Sequence, residues 1–185
     1  NHLYLNIIVN IKNKRLIKEI DCLTKISSNI NVNIFRHRFW GLPLRPITNF
    51  LCISEVFWLL KTIVSFKPIK VVLIQGTIEI GGLSLLAARI LGKHTSTYLP
   101  ITKKSKEIGV VFGRIRDFIN KHFYYRLPHE IITISEFNKE ELINNFNVDA
   151  SRIRVAMNFI DTPPYPKQTN DSQRNNVLLI IGRID

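Results

Sequence analysis

The sequence predicts an α/β fold, a parallel sheet with helices on both of its faces. Two patterns predict it. Apolar runs of strand length alternate with stretches of helical periodicity along most of the chain, the order that strand–helix–strand units need. One run, residues 71–74 (Val-Val-Leu-Ile), is apolar without a break, as a central parallel strand buried on both faces is.

Residues 3–9 (Leu-Tyr-Leu-Asn-Ile-Ile-Val) hold strand formers over a strand's length. From Lys14 onward, Leu16, Ile17, Ile20, Leu23 and Ile26 recur at helical spacing. Residues 30–35 alternate apolar and polar, and a loop with Gly41, Pro43 and Pro46 follows. Thr48 is placed to cap a long apolar helix from Asn49 to about Phe66, which Pro68 ends. Residues 70–75 form the next strand and Gly76 opens the turn after it. Gly81 and Gly82 precede a helix over 83–91 that Gly92 closes in the C-cap position. Residues 95–99 read as a strand stopped by Pro100. A helix from about Val110 to Tyr125 carries an apolar stripe (Val111, Phe112, Ile115, Phe118, Ile119 and Phe123), expected in the core, with Arg114, Asp117 and Lys121 facing away. Residues 130–134 form a strand ending at Ser135. Asn138 and Glu141 have capping-box spacing for a helix to Phe146, Asn147 sits at a left-handed C-cap, and residues 153–157 form a further strand.

From Asp161 to Asn176 the composition changes to Pro163, Pro164, Pro166 and a polar stretch, which reads as an interdomain linker. Residues 177–181 (Val-Leu-Leu-Ile-Ile) then form a buried-type strand with no helix to cover it. It either starts a second domain or joins the first sheet.

With 185 residues, 45% of them hydrophobic and 22% charged, the chain suits a packed domain rather than a disordered one. Its net charge of +12 favours anionic partners: nucleic acid, phosphorylated substrates or an anionic membrane surface. Residues 93–126 concentrate that charge, with eight basic residues against Glu107 and Asp117. The bland reading of this stretch is a solvated helix face. The phenylalanines among its cations are expected in the core, which leaves no stacking platforms and argues against nucleic acid. A membrane-facing role stays open, because basic residues beside an apolar surface hold proteins on anionic lipid. Cys22 and Cys52 are too few for a disulfide framework and are read as reduced, buried thiols. The most apolar run, residues 50–66, contains Glu55 and Lys61 and reads as a buried or interfacial helix rather than a span.

Several chemistries lack their residues. Gly76 and Gly81 have the first spacing of a P-loop, but Gly82 and Leu83 stand where lysine and serine or threonine are needed. No Gly-x-Gly-x-x-Gly follows a strand. The five histidines form no metal pair, so no metal is expected. Ser135 lacks a hydrolase elbow and is most economically a cap. Ligands of parallel sheets bind at the carboxyl ends of the strands. The loops at residues 75–82, 100–106 and 135–138 are therefore the candidates, with Gln75, Gly76, Thr77, Gly81, Gly82, Pro100, Thr102, Ser135 and Glu136 as the residues to examine. The backbone N–H groups of Gly81 and Gly82 could receive an anion or a sugar hydroxyl, or the two glycines could serve packing alone.

Residues 130–161 resemble the retaining GT-B glycosyltransferases often called group one. The resemblance lies in Ile-Ile-Thr-Ile-Ser-Glu-Phe-Asn-Lys-Glu-Glu-Leu-Ile, then Phe-Asn-Val, then Arg-Ile-Arg-Val-Ala-Met-Asn-Phe-Ile-Asp. After the linker, residues 177–183 resemble that family's apolar strand ending Gly-Arg. Asn1-His2 before a strand resembles its Gly-His. The likeness is loose before residue 130. The family's glycine-rich loop has no counterpart here. Pro100, Ile101 and Thr102 stand where it often has a histidine, and Asn158-Phe159 replaces its Asn-Gly.

The resemblance implies a Rossmann-like amino-terminal, acceptor-side domain over residues 1–160, expected to lack its first strand and helix. A linker over 161–176 and the first strand of a donor-binding domain over 177–185 would follow. It implies transfer of a sugar from a nucleotide-sugar donor to a saccharide or lipid-linked acceptor, in polysaccharide or glycolipid synthesis. Gly182 and Arg183 would hold donor phosphate, and the Arg183 guanidinium would stabilise the leaving diphosphate without a metal or other cofactor. The expected location is the cytoplasm, with peripheral contact to the inner face of an anionic membrane. This piece is expected to be inactive by itself. The rivals are a GT-B sugar-nucleotide epimerase and a non-catalytic basic module that docks lipid or nucleic acid.

Overall fold

The computed structural model describes residues 3–26, 30–39 and 44–157. Within them lie six parallel strands in two sheets. Strands β1 (Leu3–Asn10) and β2 (Ile30–His37) pair in register Leu3 to Ile30 through Asn10 to His37, joined by helix α1 (Lys14–Ile26). The second sheet has the order β3-β4-β5-β6, built from Lys70–Ile74, His94–Tyr98, Glu130–Thr133 and Ile153–Val155. Its neighbours are consecutive in sequence, so each connection is a strand–helix–strand crossover through α4 (Gly82–Ile90), α5 (Gly113–His122) or α6 (Glu136–Phe146). The α/β expectation holds, with the parallel strands divided between two sheets.

Thr95, Ser96 and Thr97 of β4 are all fully buried. Consecutive strand residues point to opposite faces, so both faces of β4 are covered. Polar side chains survive there because each has a partner. Thr95 Oγ1 meets His129 Nδ1, Ser96 donates to Glu130, and Thr97 accepts from Gln75. The main core packs Leu85 of α4, Leu99, Tyr124, Ile131 of β5, and Leu142 and Phe146 of α6. A smaller cluster joins α3 (Ile53–Phe66) to α4, where Leu59 and Ile63 meet the small Ala87 and Ala88. His37 stacks on Trp58 at 3.6 Å and its Nε2 lies 3.9 Å from buried Glu55, so β2 is tied to α3.

Several local expectations are corrected. The long helix capped by Thr48 is three pieces: α2 (Arg45–Thr48), a 3-10 turn over Asn49–Leu51, and α3 entered at Cys52. Asn49 breaks the run, because its side chain donates to Glu79 O at 3.0 Å and to the Tyr124 hydroxyl at 3.1 Å. Among the described residues, strand β3 is at the edge of its sheet and not central, with Val72 and Ile74 exposed. The helix expected over 110–125 is α5 plus a 3-10 turn at Tyr124–Arg126. Its stripe is split. Ile119 and Phe123 pack on the core, but Val111, Phe112, Ile115 and Phe118 are exposed. The inward face of α5 instead carries Gly113, Arg116 and Asn120. The cap of α6 is Ser135, whose Oγ accepts from Asn138 N at 3.2 Å, and Glu141 turns away to Thr102. Asn147 does adopt the left-handed C-cap, at φ 53°. Cys22 is exposed and Cys52 half-buried, so neither is the buried thiol expected. The linker and the strand over 177–181 lie outside the described residues. Among those described, no helix is long and apolar enough to cross a membrane.

Glu130 links three strands, accepting from Ser96 Oγ at 2.6 Å and from Lys70 Nζ at 3.0 Å. The Ser96 hydrogen bond first, then that of Lys70, holds its carboxyl below the usual range. A depressed carboxyl contributes stability above its unfolded pKa and loses it as pH falls through the folded one. Glu130→Gln is therefore expected to be less stable than the wild type at pH 7. The gap should narrow on acidification below roughly pH 4, near the unfolded carboxyl pKa. Urea unfolding of both proteins across that range checks this.

A basic cleft around a buried carboxylate

A cleft of about 320 Å³ opens where β3 and β4 end. Its walls come from the loop after β3 (Thr77 to Ile80), the loop after β4 (Ile101 to Val110), Arg45 of α2 and the inward face of α5. Glu79 lies at its base, only 3% exposed. A carboxylate so buried needs compensation. Arg116 supplies it in fork fashion, with Nη2 ion-paired to Oε1 and Nε donating to Oε2 at 3.3 Å. Asn120 Nδ2 donates to the same Oε2 at 3.4 Å. The helix places Arg116 and Asn120 four residues apart, on one face, so both reach one carboxylate.

The Asn120 amide is fixed by this contact. An ionised carboxylate only accepts, so Nδ2 must face Glu79 and Oδ1 must face elsewhere. That oxygen is buried and has no protein partner. Arg45 and Lys103 stand on the cleft wall with no carboxylate partner of their own among the described residues. Burial lowers the Arg116 guanidinium from its ordinary value; Asp117 opposes this and the nearby charge of Arg45 adds to it. After Glu79 is matched to Arg116, the cleft is cationic. It suits a ligand that carries an anionic group.

The loops are held firmly. Asp117 accepts from the backbone N–H of Ser105 at 2.7 Å and of Lys106 at 3.2 Å, fixing the basic loop to α5. Thr102 donates to Glu141 at 2.5 Å and Asn138 donates to Pro100 O at 2.9 Å, fixing it to α6. The Tyr124 hydroxyl donates to Pro46 O at 3.2 Å and holds α2 in place.

Of the residues singled out in the sequence, Thr77 lines the cleft and Gly76 packs beside it, near Ile80 and Ile101. Gln75 is buried on Thr97, and its Oε1 has no partner. Gly81 and Gly82 open α4 against Gln75 and Tyr124, so close packing requires them. Pro100 and Thr102 brace the loop, Ser135 caps α6, and Glu136 is exposed beside Lys139. Gly182 and Arg183 lie outside the described residues. Sequence reasoning missed Glu79, Arg116, Asn120 and Arg45. The available signal was a glutamate between two isoleucines in Thr-Ile-Glu-Ile-Gly-Gly, which asks for a cation elsewhere in the fold. Among the described residues no group of His, Cys, Asp or Glu could hold a metal ion.

No family model and no curated protein sequence matches the chain. Solved structures do. A protein assigned as UDP-N-acetylglucosamine 2-epimerase from Listeria monocytogenes superposes with TM-score 0.51 at 11% identity, over 83% of this chain and 44% of its own. Another UDP-N-acetylglucosamine 2-epimerase gives 0.50 at 14% identity, over 84% and 48%. Over the shared stretch, the chain has the parallel α/β, Rossmann-like fold of these GT-B structures. UGT89C1 of Arabidopsis thaliana, crystallised with UDP-L-rhamnose, matches at 0.48 and 15% identity, over 92% of this chain and 47% of its own. The chain thus spans somewhat under half the length of these GT-B structures. Its cleft sits at the carboxyl ends of the parallel strands, where ligands of such sheets bind.

Proposed function

We propose that this chain is the acceptor-side part of a glycosyltransferase that moves a sugar from a nucleotide-sugar donor to an acceptor, in polysaccharide or glycolipid synthesis. The observation that carries the reading is the cationic cleft at the ends of the parallel strands, lined by Arg45, Lys103 and Arg116. In this reading Arg45 and Lys103 attract an anionic group of the ligand. Arg116 and Asn120 hold Glu79 in place at the cleft base, and Thr77 offers a hydroxyl on the wall. The family resemblance adds Gly182 and Arg183 as the donor-phosphate contact.

A second reading is sugar-nucleotide epimerisation, which the names of the structures with TM-scores of 0.50 and above favour. One experiment separates the two. The whole protein containing this chain is incubated with UDP-sugars in D2O, with and without a membrane extract as acceptor. Transfer releases UDP and moves label to the acceptor. Epimerisation inverts C2, so the recovered nucleotide sugar gains solvent deuterium there without net UDP release. If no UDP-sugar or other nucleotide sugar is turned over or bound, both readings fall. For either reaction, Arg45→Ala with Lys103→Ala is expected to cost on the order of 10–100-fold in kcat/KM, as two charge-assisted contacts would.

A further inference from the structure

The face of the molecule beside the cleft carries a second feature. Ile115 and Phe118 lie three residues apart on one side of α5, and Phe112 stands at its left-handed N-cap, φ 57°, with Val111 adjacent. They are 57%, 49%, 64% and, for Val111, 68% exposed. Helical periodicity alone would put such a stripe in a core; here the core side of the helix is occupied by Gly113, Arg116 and Asn120. The apolar stripe is flanked by Arg114 and Lys121 on the helix and by Lys104 and Lys106 on the loop before it. The acidic residues of this region do not offset them outward. Asp117 is taken by the backbone of Ser105 and Lys106, and Glu107 lies 3.9 Å from Lys104. An apolar stripe edged by cations is the surface that lies in the headgroup region of an anionic bilayer.

We propose that this face, centred on Phe112, Ile115 and Phe118, docks the protein on an anionic phospholipid bilayer. Phe112 and Phe118 enter the headgroup–acyl boundary, and Lys106, Arg114 and Lys121 meet lipid phosphates. The docking does not depend on the proposed sugar transfer.

The test is sedimentation of the whole protein with vesicles of phosphatidylcholine, alone or mixed with phosphatidylglycerol. It is run with wild type, Phe112→Ser/Phe118→Ser and Lys106→Glu/Arg114→Glu. The wild type is expected to bind only the mixed vesicles, more weakly in high salt, and each double variant to bind at least about tenfold more weakly. All substituted side chains are exposed, so thermal unfolding should be unchanged and the variants should still turn over a water-soluble acceptor. A Phe112→Trp variant, whose emission should shift to the blue on the mixed vesicles, reports whether this face is the one inserted. Failure of the wild type to bind, full binding by the variants, or an unshifted Trp overturns the proposal. So does a dimer that Phe112→Ser/Phe118→Ser dissociates in the absence of lipid binding, which would assign the face to a second copy. Loss of vesicle binding with transfer to a soluble acceptor intact keeps the two proposals separable.

Discussion

Replacing Arg116 by Met is expected to destabilise the protein by about 3–5 kcal/mol, the cost of leaving a buried charge without its partner. Glu79 is 3% exposed, and among the described residues its charged partner is the Arg116 fork. Asn120 would remain, but a single amide at 3.4 Å does not replace a cation. The double variant Glu79→Leu/Arg116→Met should recover much of the loss, because it removes both charges and leaves an apolar wall between Ile78 and Ile80. Urea unfolding of the two single variants and the double variant measures the coupling. If Arg116→Met alone costs less than about 1 kcal/mol, the pair is not the buried bridge described above.

The second large effect is expected at Gly82. A Cβ there would stand 2.2 Å from Tyr124 Cε1 and 2.6 Å from Cδ1. The ring cannot swing away, since it is 1% exposed and its hydroxyl is held by Asn49 and Pro46. Overpacking of this kind costs about 1–3 kcal/mol, and the pinned ring places Gly82→Ala at the upper end. Gly76→Ala is the control. Its new Cβ would meet only Ile80 and Ile101, at 3.9 and 4.0 Å, so thermal unfolding should separate the two variants by several degrees. Pairing Gly82→Ala with Tyr124→Leu should restore part of the difference. Equal melting points for Gly82→Ala and Gly76→Ala would contradict the packing described.

What the sequence made legible was local. Residues 14–26 fold as the helix their spacing predicts, Gly92 takes its positive φ of 63° at the end of α4, and Asn147 closes α6. Each of these depends on neighbours within a turn or two. The strand, capped helix and strand expected over residues 130–157 are likewise present as β5, α6 and β6. The misreadings came where a distant contact decides. The apolar spacing of α5 shows that a stripe exists, but not which side the rest of the molecule stands on. Arg116 and Asn120 took the inward side because Glu79 draws them there, and Glu79 is 37 and 41 residues away. The run from Asn49 to Phe66 looked like one helix until the Asn49 side chain was claimed by Glu79 O and Tyr124. The cleft was legible only as a position, the strand ends, and its charge pattern was not.

Strand β3 ends the four-stranded sheet with Val72 55% and Ile74 83% exposed, beside Ile69 at 96%. Among the described residues its outer row of peptide groups has no partner strand, a template for another extended chain, and Lys70 is tied to Glu130 rather than free to repel one. At high concentration, or while nascent chains wait to fold, this border would nucleate inclusion bodies. A lysine in place of Ile74 would act as a gatekeeper there, raising soluble yield with little cost to the folded molecule.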